Sequence, residues 1–283
     1  MSAAGEWLRT GWVAARNILL GGNVASATLA GRPRTLVHYA SESLFLLGAL
    51  GGSRGLPEAP LAAALGQPDG ARVPTVLTPA SLTWGGAVGS HAVDLVSLSM
   101  ACAVVRPAVY FEIGTLRGVT ALHAALNGGP DCRVFTLDLP PDGPGEPALP
   151  VTLLDRAHMS TGRTPAPCVF DGTPEAERIT RLYGDSATFD FTPYHDGVDC
   201  FFIDGAHSYE YVRSDTLNAL ACCRTGGLVL WHDFGRRGVN GVSRWLLELR
   251  RLGAPVQAVP GGSLAYLIVP PDRDRLLAAA WES

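Results

Sequence analysis

From about residue 108 to the end of the chain, short apolar runs alternate with stretches of helical periodicity. Apolar runs bounded by turn residues predict buried strands. These predicted strands span residues 109–113, 133–137, 178–183, 200–203, 228–231, 256–259 and 263–269. Gly261 and Gly262 separate the last two runs and predict a hairpin-like pair. The pattern therefore predicts an α/β fold, a doubly wound and mostly parallel seven-stranded sheet with an antiparallel last strand.

Helices are predicted between the strands, where apolar residues recur with helical spacing. They cover residues 89–105, 119–126, 208–223 and 243–252. One face of the third of these helices is expected to pack on the sheet, through Val212, Ala219, Leu220 and Cys223. Thr225, Gly226 and Gly227 are predicted to form the turn into the next strand.

Two regions stand outside this alternation. Residues 1–90 are predicted to form a helical and loop accessory region, with helices around Trp7 and Trp12 and from Ser41 to Leu50, and residues 91–283 the main domain. The accessory region could cap a substrate, join two subunits of a homo-oligomer or simply pack. Residues 140–174 are rich in Pro and Gly, with a short helix at 152–159, and a connection of this length tends to be functional or mobile.

Composition excludes several classes of function. All 22 basic residues are arginines, so Schiff-base chemistry, a lysine base and a Walker-type phosphate loop are excluded. The net charge of −4 gives no basic patch for nucleic acid, and no run of 18 apolar residues predicts a membrane span. The six cysteines show no metal-binding spacing and favour a reduced, cytoplasmic protein.

Acidic residues lie at the ends of three successive predicted strands. Glu112 precedes a turn with Gly114, Thr115 and Gly118, which lacks the GxGxxG spacing of pyrophosphate sites and suits a cationic or hydroxyl-rich cofactor. This disfavours an NAD-dependent dehydrogenase. Asp138 closes the second strand, where an acid can bind a ribose diol. Asp185 and Ser186 follow the third strand and could accept a hydrogen bond from an adenine amino group.

With the stretch from Phe202 to Glu210 (FIDGAHSYE) and Gly226-Gly227 to Asp233, these features resemble class I S-adenosylmethionine-dependent methyltransferases over residues 108–269. The similarity is to small-molecule O-methyltransferases, including metal-dependent sugar and catechol types. It implies a Rossmann-like fold and a binding site for S-adenosylmethionine. The turn would hold the methionine part, Asp138 the ribose, and Asp185 with Ser186 the adenine. The implied cofactor-binding residues are Glu112, Gly114, Thr115, Gly118, Asp138, Asp185, Ser186 and Asp204.

The resemblance also implies a chemical site at the ends of the fourth and fifth strands. Asp204 and Asp233 match acidic positions that bind Mg²⁺ in metal-dependent relatives, but His232 replaces an acid or amide, which disfavours Mg²⁺ and leaves a softer divalent ion open. His232 and Asp233 could instead only hydrogen-bond neighbouring loops. His207 occupies the position of the catechol-type lysine base. A neutral imidazole with a pKa of about 6.5 could accept the hydroxyl proton, so the predicted catalytic residues are His207 and Asp204.

The predicted function is methyl transfer from S-adenosylmethionine to a hydroxyl of a small molecule, such as a sugar or secondary metabolite. His158, Arg163 and Trp84 are expected to line the acceptor pocket. Two alternatives stay open at this point, a non-catalytic cofactor-binding partner subunit and a related non-methylating enzyme such as a hydroxylase.

Overall fold

The computed structural model describes residues 55–79, 90–141, 145–160, 167–236 and 239–282. The predicted helices around Trp7, Trp12 and Ser41 lie outside these residues, as do Trp84 and Arg163. Within the described ranges no helix is long and apolar enough to cross a membrane. The division at residue 90 and the homo-oligomer stay predictions.

The chain alternates strands and helices, as its sequence predicts. The helices are α1 (Leu61–Ala64), α2 (Ser90–Val105), α3 (Val119–Asn127), α4 (Leu153–Ser160), α5 (Tyr209–Cys222), α6 (Asn240–Arg251) and α7 (Arg273–Glu282). The strands are β1 (Val109–Ile113), β2 (Arg133–Asp138), β3 (Ile179–Tyr183), β4 (Val198–Ile203), β5 (Cys223–Trp231), β6 (Gln257–Ala258) and β7 (Ala265–Ile268). Short 3₁₀ turns precede β3 and β4, at Pro174–Arg178 and Thr192–Tyr194.

The strands form one seven-stranded sheet in the order β3-β2-β1-β4-β5-β7-β6. The pairs from β3 to β5 are parallel, and β7 pairs antiparallel with both β5 and β6. The order reverses between β1 and β4, which is the point where open α/β sheets bind their ligands. The predicted doubly wound sheet with an antiparallel last strand is confirmed.

Both faces of the sheet are covered by helices. On one face, Phe111 of β1 stacks on Phe201 of β4, with ring centroids 4.9 Å apart, in a core that includes Trp245 of α6. On the other face, Tyr110 and Phe202 pack in a core that includes residues of α2 and α3. Since both faces are buried, the central strands carry near-continuous apolar runs rather than alternation.

Two elements differ from the sequence prediction. Strand β5 begins at Cys223, so Thr225, Gly226 and Gly227 lie within the strand rather than in a turn before it. The pairing register of β5 with β4 shifts between Val198 and Cys200, and Gly226 has φ +78°. The first half of β5 is therefore irregular, which allows it to include the two glycines. Helix α7 was not predicted, because it follows the last strand and presents a weakly amphipathic sequence.

Candidate active site

One cavity of about 530 Å³ opens at the carboxyl ends of the parallel strands. Residues of both predicted halves of the site line it, although Glu112 and Gly118 are not among the described lining residues. On the cofactor side these are Gly114, Thr115, Asp138, Asp185 and Ser186, and on the chemical side Asp204, His207, His232 and Asp233. Residues that the sequence placed in two functional groups therefore share one cavity.

The glycine turn after β1 is held tightly against the end of β4. Gly114 has φ +102°, a conformation that side-chain-bearing residues rarely adopt, and a Cβ atom at this position would lie 2.0 Å from the backbone oxygen of Asp204. Gly118 caps helix α3 with φ +70°, and a Cβ there would contact the ring of Phe170 at 2.3 Å. Glycine is therefore required at both positions, and the turn brings backbone close to the cavity.

Glu112 supports this turn through hydrogen bonds. Its carboxylate is fully buried and accepts hydrogen bonds from Thr136 (2.7 Å) and Tyr110 (3.1 Å), while the Thr136 hydroxyl is hydrogen-bonded to that of Thr115. Burial raises the pKa of Glu112 to about 7, against the effect of these donors. Among the described residues Glu112 does not line the cavity. Glu112 therefore does not face the cavity but is hydrogen-bonded, through Thr136, to Thr115 in the cavity wall, and its contact with the cofactor stays a prediction.

The other predicted cofactor acids face the cavity. Asp138 accepts hydrogen bonds from the backbone N–H groups of Leu116 (2.9 Å) and Leu139 (2.8 Å), so its carboxylate is anchored to the glycine turn. This places an oriented acceptor where the sequence predicted a ribose contact.

Asp185 is held by three donors. Its Oδ2 accepts from Ala148 N (2.8 Å) and from the Tyr211 hydroxyl (2.7 Å), and its Oδ1 accepts from Ala187 N (2.9 Å). The Ala148 contact ties the long connection between β2 and β3 to the end of β3. Ser186 follows in the cavity wall.

His207 lies between two carboxylates. Its Nδ1 is 2.7 Å from Asp155 Oδ1, and its Nε2 is 3.0 Å from Asp233 Oδ2. Burial alone would lower the pKa of His207, but the two carboxylates outweigh burial and raise this pKa to about 10. The two carboxylates therefore favour the protonated ring, whereas the sequence predicted an ordinary neutral imidazole.

His232 lies among three carboxylates. Its Nδ1 is 3.0 Å from Asp204 Oδ1 and 3.1 Å from Asp233 Oδ1, and its Nε2 is 3.3 Å from Asp94 Oδ2. Burial opposes the charged ring, but the nearby carboxylates, Asp204 foremost, raise the pKa of His232 well above its ordinary value. Arg236 contacts the same Asp233 oxygen at 2.7 Å.

The three predicted metal ligands are close enough to share an ion. Each of Asp204, His232 and Asp233 offers a ligand atom, and these atoms lie within 4.8 Å of one another. Asp94 stands behind His232, opposite the ligand-facing Nδ1. A carboxylate on the far ring nitrogen is the usual support of a metal-binding histidine. The residues present therefore fit a divalent cation that takes the place of the proton on His232 Nδ1, and a mixed imidazole and carboxylate donor set suits ions softer than Mg²⁺.

Two residues of the site, Asp155 and Asp94, were not predicted from the sequence. Asp155 lies on α4, within the Pro- and Gly-rich connection, where only its three-residue spacing from Thr152 indicated a helix start. Asp94 is the one acid of the apolar helix α2 and is fully buried, with hydrogen bonds from Ser263 N and Oγ, both 2.7 Å. The feature of the sequence that could have indicated Asp94 is its position as a lone acid in an apolar helix. His158 lines the cavity as predicted.

Residues 111–234 match a protein-family model described as a methyltransferase domain. Residues 111–234, which run from β1 to the end of β5, therefore form a methyltransferase domain, in agreement with the resemblance that the sequence predicted. No curated protein matches the sequence.

Several solved structures are similar at low identity. Cofactor-bound Rv0187 from MTB is 16% identical, with 89% of this chain and 96% of that chain covered and a TM-score of 0.44. The O-methyltransferase TomG from Streptomyces achromogenes, involved in tomaymycin synthesis and solved with S-adenosylmethionine, is 16% identical, with coverages of 84% and 100% and a TM-score of 0.42. The methyltransferase PaMTH1 of Podospora anserina, bound to S-adenosylhomocysteine, is 13% identical, with coverages of 62% and 77% and a TM-score of 0.47. These similarities are too distant to indicate a substrate.

Proposed function

We propose that the protein transfers the methyl group of S-adenosylmethionine to a hydroxyl of a small molecule. The observation that carries this proposal is the single cavity, which is lined by the glycine turn and strand-end acids on one side and by the histidine and aspartate cluster on the other. A methyl donor bound on the first side would face groups able to orient and deprotonate a hydroxyl on the second. The protein contributes by positioning the two reactants and excluding water.

The cofactor is proposed to lie along the strand ends in chain order. Its methionine part would lie at Gly114 and Thr115, its ribose at Asp138 and its adenine at Asp185 and Ser186. Asp138 supports this placement, since its carboxylate is already oriented by two backbone donors. The glycine turn after β1 also lacks the GxGxxG spacing of a pyrophosphate site and contains no lysine, so it does not favour a dinucleotide.

The acceptor is proposed to be a hydroxylated molecule with an apolar body. Besides the polar cluster, the cavity is lined by aliphatic and thioether side chains of the long connection and of the segment after β5, namely Leu139, Val151, Leu154, Met159 and Val239. Such walls bind through apolar contact, while the polar cluster selects the hydroxyl. This favours a secondary metabolite over a free sugar.

Proton transfer is proposed to use His207 together with Asp233 rather than His207 alone. A protonated imidazole cannot accept another proton, but the carboxylate paired with it can, even though His207 and His232 lower the pKa of Asp233. The attacking hydroxyl becomes strongly acidic as the new O–CH₃ bond forms, so a carboxylate is a sufficient acceptor. His207 then holds Asp233 in place and offsets its charge, which makes the pair the functional base.

Asp204, His232 and Asp233 are proposed to hold a divalent cation. Such an ion would orient the acceptor oxygens and lower the pKa of the hydroxyl. We expect calorimetric titration to detect binding of Mn²⁺ more tightly than Mg²⁺, because imidazole is a poor Mg²⁺ ligand. EDTA is expected to abolish turnover, and an added divalent ion to restore it.

The matched control for this experiment is Asp190→Asn, which removes an exposed carboxylate far from the cluster. Asp233→Asn should abolish Mn²⁺ binding, and Asp190→Asn should leave it intact. Full turnover in EDTA together with no Mn²⁺ binding would refute the metal site and leave the His207 and Asp233 pair as the deprotonating groups.

The function is tested by incubating the protein with isotopically labelled S-adenosylmethionine and a panel of hydroxylated acceptors with apolar bodies. Mass spectrometry is expected to find one transferred methyl group on oxygen in at least one acceptor. Binding of cofactor without transfer to any acceptor would instead favour a non-catalytic partner subunit. An acceptor that gains oxygen without a methyl group would favour the hydroxylase alternative.

A further inference from the structure

We propose that Asp155 is a positioning residue of the active site: its carboxylate fixes the ring of His207 so that Nε2, and not Nδ1, faces the reacting groups. This inference rests on the proposed function, because it assigns Asp155 to the proton transfer at the same cavity. Asp155 belongs to α4 in the long connection between β2 and β3, outside the strand-end motifs.

The contact between Asp155 and His207 has two points. One carboxylate oxygen, Oδ1, lies 2.7 Å from the ring atom Nδ1, and the other, Oδ2, accepts from the backbone N–H of His207 at 3.1 Å. Holding the ring and the backbone of one residue on the same carboxylate restricts rotation about both side-chain torsions. The ring of His207 therefore has one orientation in which both bonds are satisfied.

The carboxylate is itself held in place by Thr152. Asp155 Oδ2 accepts from the N–H (3.0 Å) and hydroxyl (2.7 Å) of Thr152, and Asp155 N donates to the Thr152 hydroxyl at 3.1 Å. These reciprocal bonds form the start of α4, in the manner of a capping box. Since the Asp155 side chain is also buried, its orientation is set by Thr152 and offers His207 a fixed partner.

The contact with Asp155 also determines what the other ring nitrogen of His207 faces. With Nδ1 taken by Asp155, Nε2 points to Asp233 Oδ2 at 3.0 Å, and all three residues line the cavity. A buried carboxylate that orients an imidazole in this way has large effects elsewhere, since replacing it by an amide in a serine-protease triad lowers kcat about 10⁴-fold.

The same helix contributes Leu154 and Met159 to the proposed acceptor wall. One segment therefore shapes the acceptor pocket and orients the residue that serves proton transfer. Displacement of α4 would loosen both together, which gives the long connection a catalytic role beyond covering the cavity.

The test compares Asp155→Asn with Thr152→Val. The amide can still accept the backbone bonds, but it places a donor or a neutral oxygen on Nδ1, so we expect kcat to fall about 100-fold or more with acceptor KM and S-adenosylhomocysteine affinity nearly unchanged. Thr152→Val removes the hydroxyl contact to Asp155 but keeps the N–H contact and both contacts between Asp155 and His207, so it should lower the melting temperature and reduce kcat much less than Asp155→Asn. Equal loss of kcat in both variants would overturn the proposal, because Asp155 would then only anchor the helix.

A spectroscopic measurement decides the point independently of turnover. In protein labelled with ¹⁵N-histidine, His207→Ala identifies the ring signals of His207 among the seven histidines. Asp155→Asn is expected to shift the Nδ1 signal strongly, and Thr152→Val to shift it much less, because the carboxylate stays on Nδ1. Identical His207 ring signals in wild-type and Asp155→Asn protein would refute the positioning role.

The two hypotheses fail in different ways. Absence of methyl transfer by the wild-type protein refutes the proposed function, while the ring signals still decide whether Asp155 orients His207. Should Asp155→Asn not fold, Asp155→Glu retains the carboxylate on a longer side chain. Asp155→Glu is expected to keep the Nδ1 signal near its wild-type position and to retain more activity than Asp155→Ala. The proposal would be contradicted if both variants were equally inactive and neither had an altered Nδ1 signal.

Discussion

Gly114→Ala is expected to abolish cofactor binding. The new Cβ would lie 2.0 Å from the backbone oxygen of Asp204, and the residue would have to keep φ +102°. The oxygen cannot yield easily, because Asp204 N donates to Ile113 O (2.9 Å) at the same strand end. Backbone strain and overpacking each cost about 1–3 kcal/mol, so we expect a lower free energy of unfolding as well as a loss of cofactor affinity of about 100-fold or more.

Gly172→Ala is the matched control for that variant. Gly172 also has a left-handed φ, +78°, but no atom lies within 4 Å of its would-be Cβ, and it does not line the cavity within the described chain. It should therefore show the cost of backbone strain alone and bind S-adenosylhomocysteine normally. Calorimetry and thermal unfolding of both variants check the comparison. Wild-type affinity in folded Gly114→Ala protein would show that the turn is not the cofactor site.

His207→Ala is expected to lower kcat by about 10²–10⁴-fold, the usual contribution of a positioned proton-transfer group. Removing the imidazolium also leaves the carboxylates of Asp155 and Asp233 facing each other without the cation between them. Cofactor affinity should persist, because the proposed cofactor contacts lie on the glycine turn and at the ends of β2 and β3. The measurement is single-turnover methyl transfer alongside calorimetry with S-adenosylhomocysteine.

His195→Ala serves as the control for the loss of an imidazole. His195 is exposed and lies before β4, at the opposite end of that strand from the cavity. It is expected to leave turnover unchanged. Unaltered turnover in His207→Ala would refute the assignment of His207 and move proton transfer to Asp204 or to solvent.

The parts of the site that could be predicted from the sequence are those tied to the sheet. Buried parallel strands read as apolar runs, and their carboxyl ends meet at one edge, so the order of Asp138, Asp185 and Asp204 along the chain already implied a common cavity. The departure at Glu112 has a simple cause. Successive side chains of a strand point to opposite faces of the sheet. Glu112 therefore points to the same face as Tyr110, which helix α3 covers, and not toward the cavity at the strand end.

The parts that could not be predicted depend on tertiary contacts of segments without periodicity. The raised pKa of His207 depends on Asp155, which comes from a Pro- and Gly-rich connection that no strand or helix pattern places. His232 is also contacted by Asp94, which precedes the sheet and is brought to the end of β5 by the packing of α2, although Asp204 contributes most to the raised pKa of His232. Local sequence predicted the residues at the strand ends but not Asp155 and Asp94, which come from outside the strand ends.

The central claim is that the cavity at the carboxyl edge of this sheet binds S-adenosylmethionine. Its most direct test is isothermal titration of the wild-type protein with S-adenosylhomocysteine, with NAD titrated in parallel. We predict binding of one molecule of S-adenosylhomocysteine per chain and no heat with NAD. Absence of S-adenosylhomocysteine binding, or displacement of it by NAD, would contradict the account.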